Sequence, residues 1–200
     1  MKRYLTLTVF LTAGLFFFNT LAFGQSQALK DNIYDPGPLK PIDSKLKVKA
    51  GDPAPDFILP SVSGKKISLS QFKGEKNVVL SFVPAAWTPV CSDQWPGYNL
   101  VKDVFDEGDA VLLGISVDNI PTLYAWTKQM GSLWFEVLSD FWPHGAITDK
   151  YGVLRSDGFS ERAVFVIDKE GIIRAAMVTD INKKPDFAPC ASALEELVEE

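Results

Sequence analysis

The sequence predicts a single α/β domain, a mostly parallel sheet covered on both faces by helices. Three observations carry that reading. Short β-branched runs at 77–83, 110–117 and 163–167 are bounded by turn residues, as buried strands are. Stretches with apolar residues at helical spacing separate them, so strand and helix alternate, and right-handed crossovers follow. Two hundred residues, 46% of them hydrophobic, suffice for one ordinary core and would crowd two.

Taken in order, the chain opens with Lys2 and Arg3 before an apolar run at 4–18, and Ala22-Phe23-Gly24 puts small residues at both cleavage positions before Gln25. This is the layout of a signal peptide over residues 1–24, removed near Gly24, and it predicts an exported protein, periplasmic or secreted. The run is shorter than the ~20 residues a spanning helix needs, so no stable membrane insertion is expected after processing. Residues 25–49 hold Pro36, Pro38 and Pro41 among Lys, Asp and Ser without periodicity, and read as a flexible N-terminal arm. The domain proper spans residues 50–200. It begins with a β-hairpin, 57–59 and 66–69 around Ser63-Gly64, after which Ser70 is a candidate cap for a helical turn through Phe72.

The strand at 77–83 runs into the stretch from Pro84 to Cys91, where the chemistry is expected. Pro84 lacks an amide donor and has a fixed φ, so it ends the strand, and Pro89 suits the entry to a helix. Cys91 then falls in the first helical turn. Unpaired amides and the helix dipole favour a thiolate there, and Thr88, three residues earlier, is placed to donate its hydroxyl to the sulfur. A free thiol of pKa ~8.5 is only about 3% thiolate at neutral pH, so a reactive cysteine needs such help. The helix must bend or restart at Pro96-Gly97, and Tyr98, Val101, Val104 and Phe105 continue as an apolar stripe for the core.

A strand at 110–117 and a helix from Pro121 to about Met130 follow, the helix carrying Leu123 and Trp126 on one face. A short edge strand at 135–138 and a short helix at 145–151 come next. Strands at 163–167 and 172–178 form a hairpin through Asp168-Lys169-Glu170-Gly171, and a helix at about 191–199 closes the chain.

The net charge is −5 and the basic residues are scattered among acids, which excludes a nucleic-acid binding reading. Two cysteines and one histidine cannot make a four-ligand zinc set and show no paired spacing, so neither a metal nor a cofactor is expected. In an exported chain the two cysteines also suit a structural disulfide.

Pro84, Thr88 and Cys91 form the pattern Pro-x-x-x-Thr-x-x-Cys, which resembles the peroxiredoxins at their peroxidatic cysteine. Further blocks resemble that family in the same order: Gly-Asp-Pro-Ala-Pro-Asp-Phe at 51–57, Gly-Ile-Ser-Val at 114–117, Leu-Ser-Asp-Phe-Trp-Pro-His-Gly at 138–145 and Arg-Ala-Val-Phe-Val-Ile-Asp at 162–168. The resemblance covers residues 51–198, and the fourth block is most like the alkyl hydroperoxide reductase E subgroup. It implies a thioredoxin-like fold with a central mixed β-sheet flanked by helices and an N-terminal β-hairpin. It also implies a thiol-dependent peroxidase that reduces hydrogen peroxide and organic hydroperoxides through a sulfenic acid on Cys91. Arg162 matches the arginine the family sets beside the sulfur. A thiol or thioredoxin-like reductant and a homodimer are implied as partners. One departure is Gln94, where many members carry Glu.

Cys190, in Phe187-Ala-Pro-Cys-Ala, is the candidate resolving residue, because atypical two-cysteine members place one just before the last helix. The E subgroup works with one cysteine and an external thiol, and both routes stand open. Trp87 and Trp142 are candidate walls of an apolar pocket near Cys91, or plain core aromatics. His144 reads as a structural hydrogen-bonding residue, and Arg155 and Arg174 lack a matching context. Two other classes compete. A thiol-disulfide oxidoreductase of the same fold lacks its Cys-x-x-Cys pair, since Gln94 stands three residues after Cys91. A silent redox-sensing module does not require the complete set Pro84, Thr88, Cys91 and Arg162.

Overall fold

The computed structural model describes residues 27–199; the expected signal peptide lies outside them. A short helix α1 (Gln27–Asp31) precedes a hairpin of β1 (Ile58–Pro60) and β2 (Lys66–Ser68), which pair antiparallel as a separate two-stranded sheet. Then come β3 (Asn77–Phe82), α2 (Pro89–Gly97), α3 (Lys102–Glu107), β4 (Ala110–Ser116), α4 (Ile120–Met130), β5 (Glu136–Ser139) and α5 (Ala146–Tyr151). The chain ends with β6 (Arg162–Ile167), β7 (Ile173–Thr179) and α6 (Ala188–Glu199). Among the described residues no helix is long and apolar enough to cross a membrane.

The main sheet has the order β5-β4-β3-β6-β7. β3, β4 and β5 are mutually parallel, as helical crossovers require, whereas β6 lies antiparallel to both β3 and β7. The mostly parallel sheet suggested by the strand-helix alternation alone is corrected, and the central mixed sheet that the family resemblance implies is the one the chain forms. The turn after Ile167 is too short for a crossover helix, so β6 and β7 can only be antiparallel, and the hairpin docks β6 against β3.

All six residues of β3 are buried, and they alternate between two cores. Val79 joins Cys91, Trp95, Trp126 and Leu194 on one face, and Val78, Leu80 and Phe82 join Tyr151 and Phe165 on the other. Trp95, on the helix that carries Cys91, packs on Trp126 with ring centroids 5.0 Å apart. Its indole lies directly over Gly114 of β4, where an added Cβ would come within 2.8 Å of the ring. Pro96 lies inside the last turn of α2, which ends at Gly97, and the helical path restarts there as expected in a 3-10 turn (Tyr98–Val101) that leads into α3. The turn after β2 is entered from Ser68, whose amide donates to the Gln71 side chain at 3.2 Å, so Ser70 is not the cap. The Ser70 amide donates instead to Asp56 Oδ1 at 3.0 Å.

The segment read as a flexible arm lies along the domain and is fastened to it. Leu29 is fully buried in the core that contains Leu123 and Trp126. The Tyr34 amide donates to the Trp87 carbonyl at 2.7 Å, and Leu39 exchanges bonds of 2.8 and 2.9 Å with the Asn182 side chain. The amides of Asp43 and Ser44 donate to Glu161 Oε1 at 2.6 and 2.9 Å. Glu161 is itself buried and paired with Arg155 Nη1 at 2.9 Å. Gly152, at φ +75°, leaves the space through which the backbone at Lys45 to Lys47 passes, and any Cβ there would collide with it.

Candidate active site

β3 delivers the chain to the site. Pro84 is buried at the strand end, Thr88 is the N-cap of α2 with extended backbone (φ −103°, ψ 153°), and Pro89 occupies the first turn. Cys91 follows in that turn, with no exposed surface. The helix's own ladder begins with the Ser92 amide bonded to the Thr88 carbonyl at 3.0 Å, so the amides of Val90 and Cys91 lie at the positive end of the dipole.

Arg162, the first residue of β6, comes over the sulfur from the neighbouring strand: its Nη2 lies 3.4 Å from Cys91 Sγ. Only 2% of its surface is exposed, which excludes a solvated strand-end arginine. Two acceptors fix the guanidinium. Nη1 donates to Gln94 Oε1 at 2.5 Å, and Nη2 also donates to the Ile181 carbonyl at 3.0 Å. Nε is buried without a hydrogen-bond partner, a cost usually tolerated where function demands it.

Gln94 uses both ends of its amide. While Oε1 takes the arginine, Nε2 donates to Ser81 Oγ at 3.1 Å and to the Tyr98 hydroxyl at 3.2 Å. Trp95 Nε1 donates to the same Ser81 oxygen at 3.4 Å. Burial pushes the Tyr98 phenol above its ordinary range, so this network behind the sulfur stays uncharged at neutral pH. The sequence shows Gln94 as an uncharged residue still able to hydrogen-bond where many members carry Glu, but it does not reveal its partners Ser81 and Tyr98 or the role of Ile181. The i, i+4 spacing of Gln94 and Tyr98 was the only available signal.

Thr88 departs from expectation. Its hydroxyl donates to the Ala85 carbonyl at 2.9 Å, not to the sulfur, so it presents lone pairs toward the site. Thr88, Pro84 and Arg162 all line a cleft of about 650 Å³. Trp87 and Trp142 do not line it. Trp87, at φ +62°, packs partly buried against the core, and Trp142 is 83% exposed. The apolar walls are built instead by Pro36, Pro38 and Leu39 from the arm and by Phe159 and Ile181. His144 Nε2 is hydrogen-bonded to the Gly158 carbonyl at 2.7 Å, a structural contact.

Cys190 sits in the first turn of α6, buried and unpaired, and both cysteines are free thiols. Burial pushes its thiol up to about 12. Among the described residues no group of His, Cys, Asp or Glu is arranged to hold a metal.

A mixed sheet flanked by helices, with a buried cysteine and arginine at the end of its central strand, defines a thioredoxin-like fold built around a thiol site. Residues 50–176 match the model of the AhpC/TSA family. Alkyl hydroperoxide reductase E of Mycobacterium tuberculosis is 39% identical over 130 residues, covering 64% of this chain and 84% of that protein. A chloroplastic 2-cysteine peroxiredoxin of Chattonella marina var. antiqua is 33% identical over 146 residues, covering 68% and 74%. Among solved structures, the reduced 2-Cys peroxiredoxin of Plasmodium vivax superposes with a TM-score of 0.69 at 30% identity, covering 74% of this chain and 81% of that one. The chain belongs to the AhpC/TSA family and is a thiol peroxidase of the peroxiredoxin class. Both the arm and Cys190 fall outside residues 50–176, the part that the family model matches.

Proposed function

We propose that this protein is an exported peroxidase in which Cys91 is the residue oxidised by peroxide. The observation that carries the reading is the buried Arg162 guanidinium, held by Gln94 and Ile181 with Nη2 3.4 Å from the sulfur. A fixed positive charge there favours the thiolate, and the same fork is positioned to bind the peroxide oxygens. Thr88 Oγ1 accepts a hydrogen bond from the peroxide hydroxyl, since its own proton is committed to Ala85. Pro84, buried at the end of β3, lines the same cleft.

The thiolate attacks the terminal oxygen of ROOH, an S–O bond forms as the O–O bond breaks, and the departing RO⁻ takes the hydroxyl proton and leaves as ROH. Cys91 is left as a sulfenate, oxidised by two electrons, and the peroxide is reduced. The sulfenate takes a proton from solvent to become the sulfenic acid, and attack by a second thiol then forms a disulfide and releases water. The cleft opens to solvent, so an external small thiol or thioredoxin-like protein is the reductant this reading favours. Cys190 is the second candidate. Its burial and protonated thiol require the first turn of α6 to open before it attacks.

Export rests on residues 1–24, and a homodimer is the oligomeric state expected of this class. One experiment tests the chemistry. Wild type, Cys91→Ser and Cys190→Ser each receive one equivalent of hydrogen peroxide and are analysed by non-reducing mass spectrometry. Wild type is expected to gain oxygen at Cys91 and Cys91→Ser to stay unreactive. Full turnover by Cys91→Ser would overturn the peroxidase reading, and a Cys91–Cys190 bond in wild type would assign Cys190 as the resolving residue.

A further inference from the structure

The cleft lined by Pro84, Thr88 and Arg162, beside the fully buried Cys91, is far larger than hydrogen peroxide requires. Its volume of about 650 Å³ lies within the ~300–1,000 Å³ of sites for drug-sized molecules, whereas a particle the size of water takes ~30 Å³. Part of its rim comes from outside the family domain. The family match begins at residue 50, yet Pro36, Pro38 and Leu39 form one wall, alongside Pro84, Val90 and Phe159 from the domain.

This wall is held in place at points that already serve the site. Its start hangs on the carbonyl of Trp87, in the loop that leads to Cys91. Its far end is clasped by Asn182, and the Ile181 amide donates to the Pro41 carbonyl at 3.0 Å. The Ile181 carbonyl holds Arg162, and Glu161, which takes the next two arm amides, is the residue before it. Three prolines at 36, 38 and 41 reduce the freedom this stretch loses on ordering.

We propose that residues 34–39 are the specificity-determining wall of the peroxide site, and that this wall selects hydroperoxides carrying an apolar organic group over hydrogen peroxide. The inference rests on the peroxidase reading above. The peroxide head is bound by Arg162 and Thr88 whatever it carries, so the wall acts only on the remainder of the molecule. Each methylene buried against it raises binding about fourfold.

The test uses the full mature chain and stopped-flow oxidation by cumene hydroperoxide and by hydrogen peroxide. Wild type is expected to react faster with cumene hydroperoxide. Leu39→Asp, which puts a charge into the wall, is expected to lower the ratio of the two second-order constants at least fivefold. Asn182→Ala, which releases the clasp on Leu39, lowers the same ratio and carries the test if Leu39→Asp does not fold. A wild type that prefers hydrogen peroxide, or variants that keep the wild-type ratio while both peroxides still react, would overturn the proposal. Failure of wild type to react with either peroxide would instead overturn the peroxidase reading beneath it.

Discussion

Replacing Arg162 separates its charge from its shape. With Nη2 at 3.4 Å from the sulfur in a buried setting, the attraction between guanidinium and thiolate is about 5 kcal/mol at an effective dielectric of about 20. Part of this is recovered when the emptied space admits water, so the expected loss is nearer the ~2.7–4 kcal/mol measured for single donors to a developing charge. Arg162→Met should therefore slow peroxide oxidation of Cys91 about 10²–10³-fold. Arg162→Lys retains the charge, but a single ammonium cannot span both Gln94 Oε1 and Cys91 Sγ, and a loss of roughly tenfold is expected. Stopped-flow tryptophan fluorescence is a suitable assay, because Trp95 lies one turn along the helix from Cys91. Circular dichroism confirms that each variant folds. A folded Arg162→Met that reacts within threefold of wild type would refute the assignment of charge stabilisation to this residue.

Thr88→Val should slow the same reaction about tenfold while Thr88→Ser retains most of it, since only the hydroxyl oxygen is required; equal rates for Val and wild type would remove Thr88 from the site. Cys190 gives a pH signature. Burial raises its thiol from 9.0 to about 12 in the folded state, so its stabilising contribution is complete below about pH 9 and declines as pH rises toward 12. At ~1.4 kcal/mol per pH unit, about 2 kcal/mol is gone by pH 10.5, and the stability difference between pH 7 and 10.5 should shrink by that amount in Cys190→Ala. Equal differences in chemical denaturation would show that the buried thiol does not control alkaline stability. N-terminal sequencing of the native protein should find Gln25 at or near the start, and a chain beginning at Met1 would refute export by signal cleavage.

The elements most legible in the sequence were those with local signals. The strand over Asn77–Phe82 is β-branched and ends at a proline, and the helix over Pro89–Gly97 opens with one, so Cys91 at their junction needed only neighbouring residues to be found. What escaped was set by distant partners. The strand-helix alternation by itself suggested a mostly parallel sheet, and only the family resemblance implied the mixed one, because β6 docks antiparallel on β3 through a pairing between segments more than eighty residues apart. The arm has the composition of a linker, but Asn182 and Glu161, which fasten it, follow it by more than a hundred residues. Gln94 was legible only as an uncharged hydrogen-bonding departure from Glu, because the sequence says nothing of Ser81 and Tyr98, which only the fold brings to its amide nitrogen. Trp142, a candidate pocket wall or plain core aromatic in the sequence, is neither and lies out in solvent.

The bare backbone at Gly114 joins two quantities that protein engineers usually adjust separately. Glycine in a strand interior costs ~0.5–1 kcal/mol relative to alanine, and replacing it is an ordinary route to a sturdier protein. Here the added methyl would meet Trp95 at 2.8 Å, and the indole is wedged between β4 and Trp126. The displacement has to be taken up by α2, whose first turn holds the sulfur and whose next residues grip the arginine. A gain in rigidity at Gly114 thus arrives as an alignment error between Cys91 and Arg162, so tolerance to mutation at this strand position measures how closely the catalytic pair must be spaced.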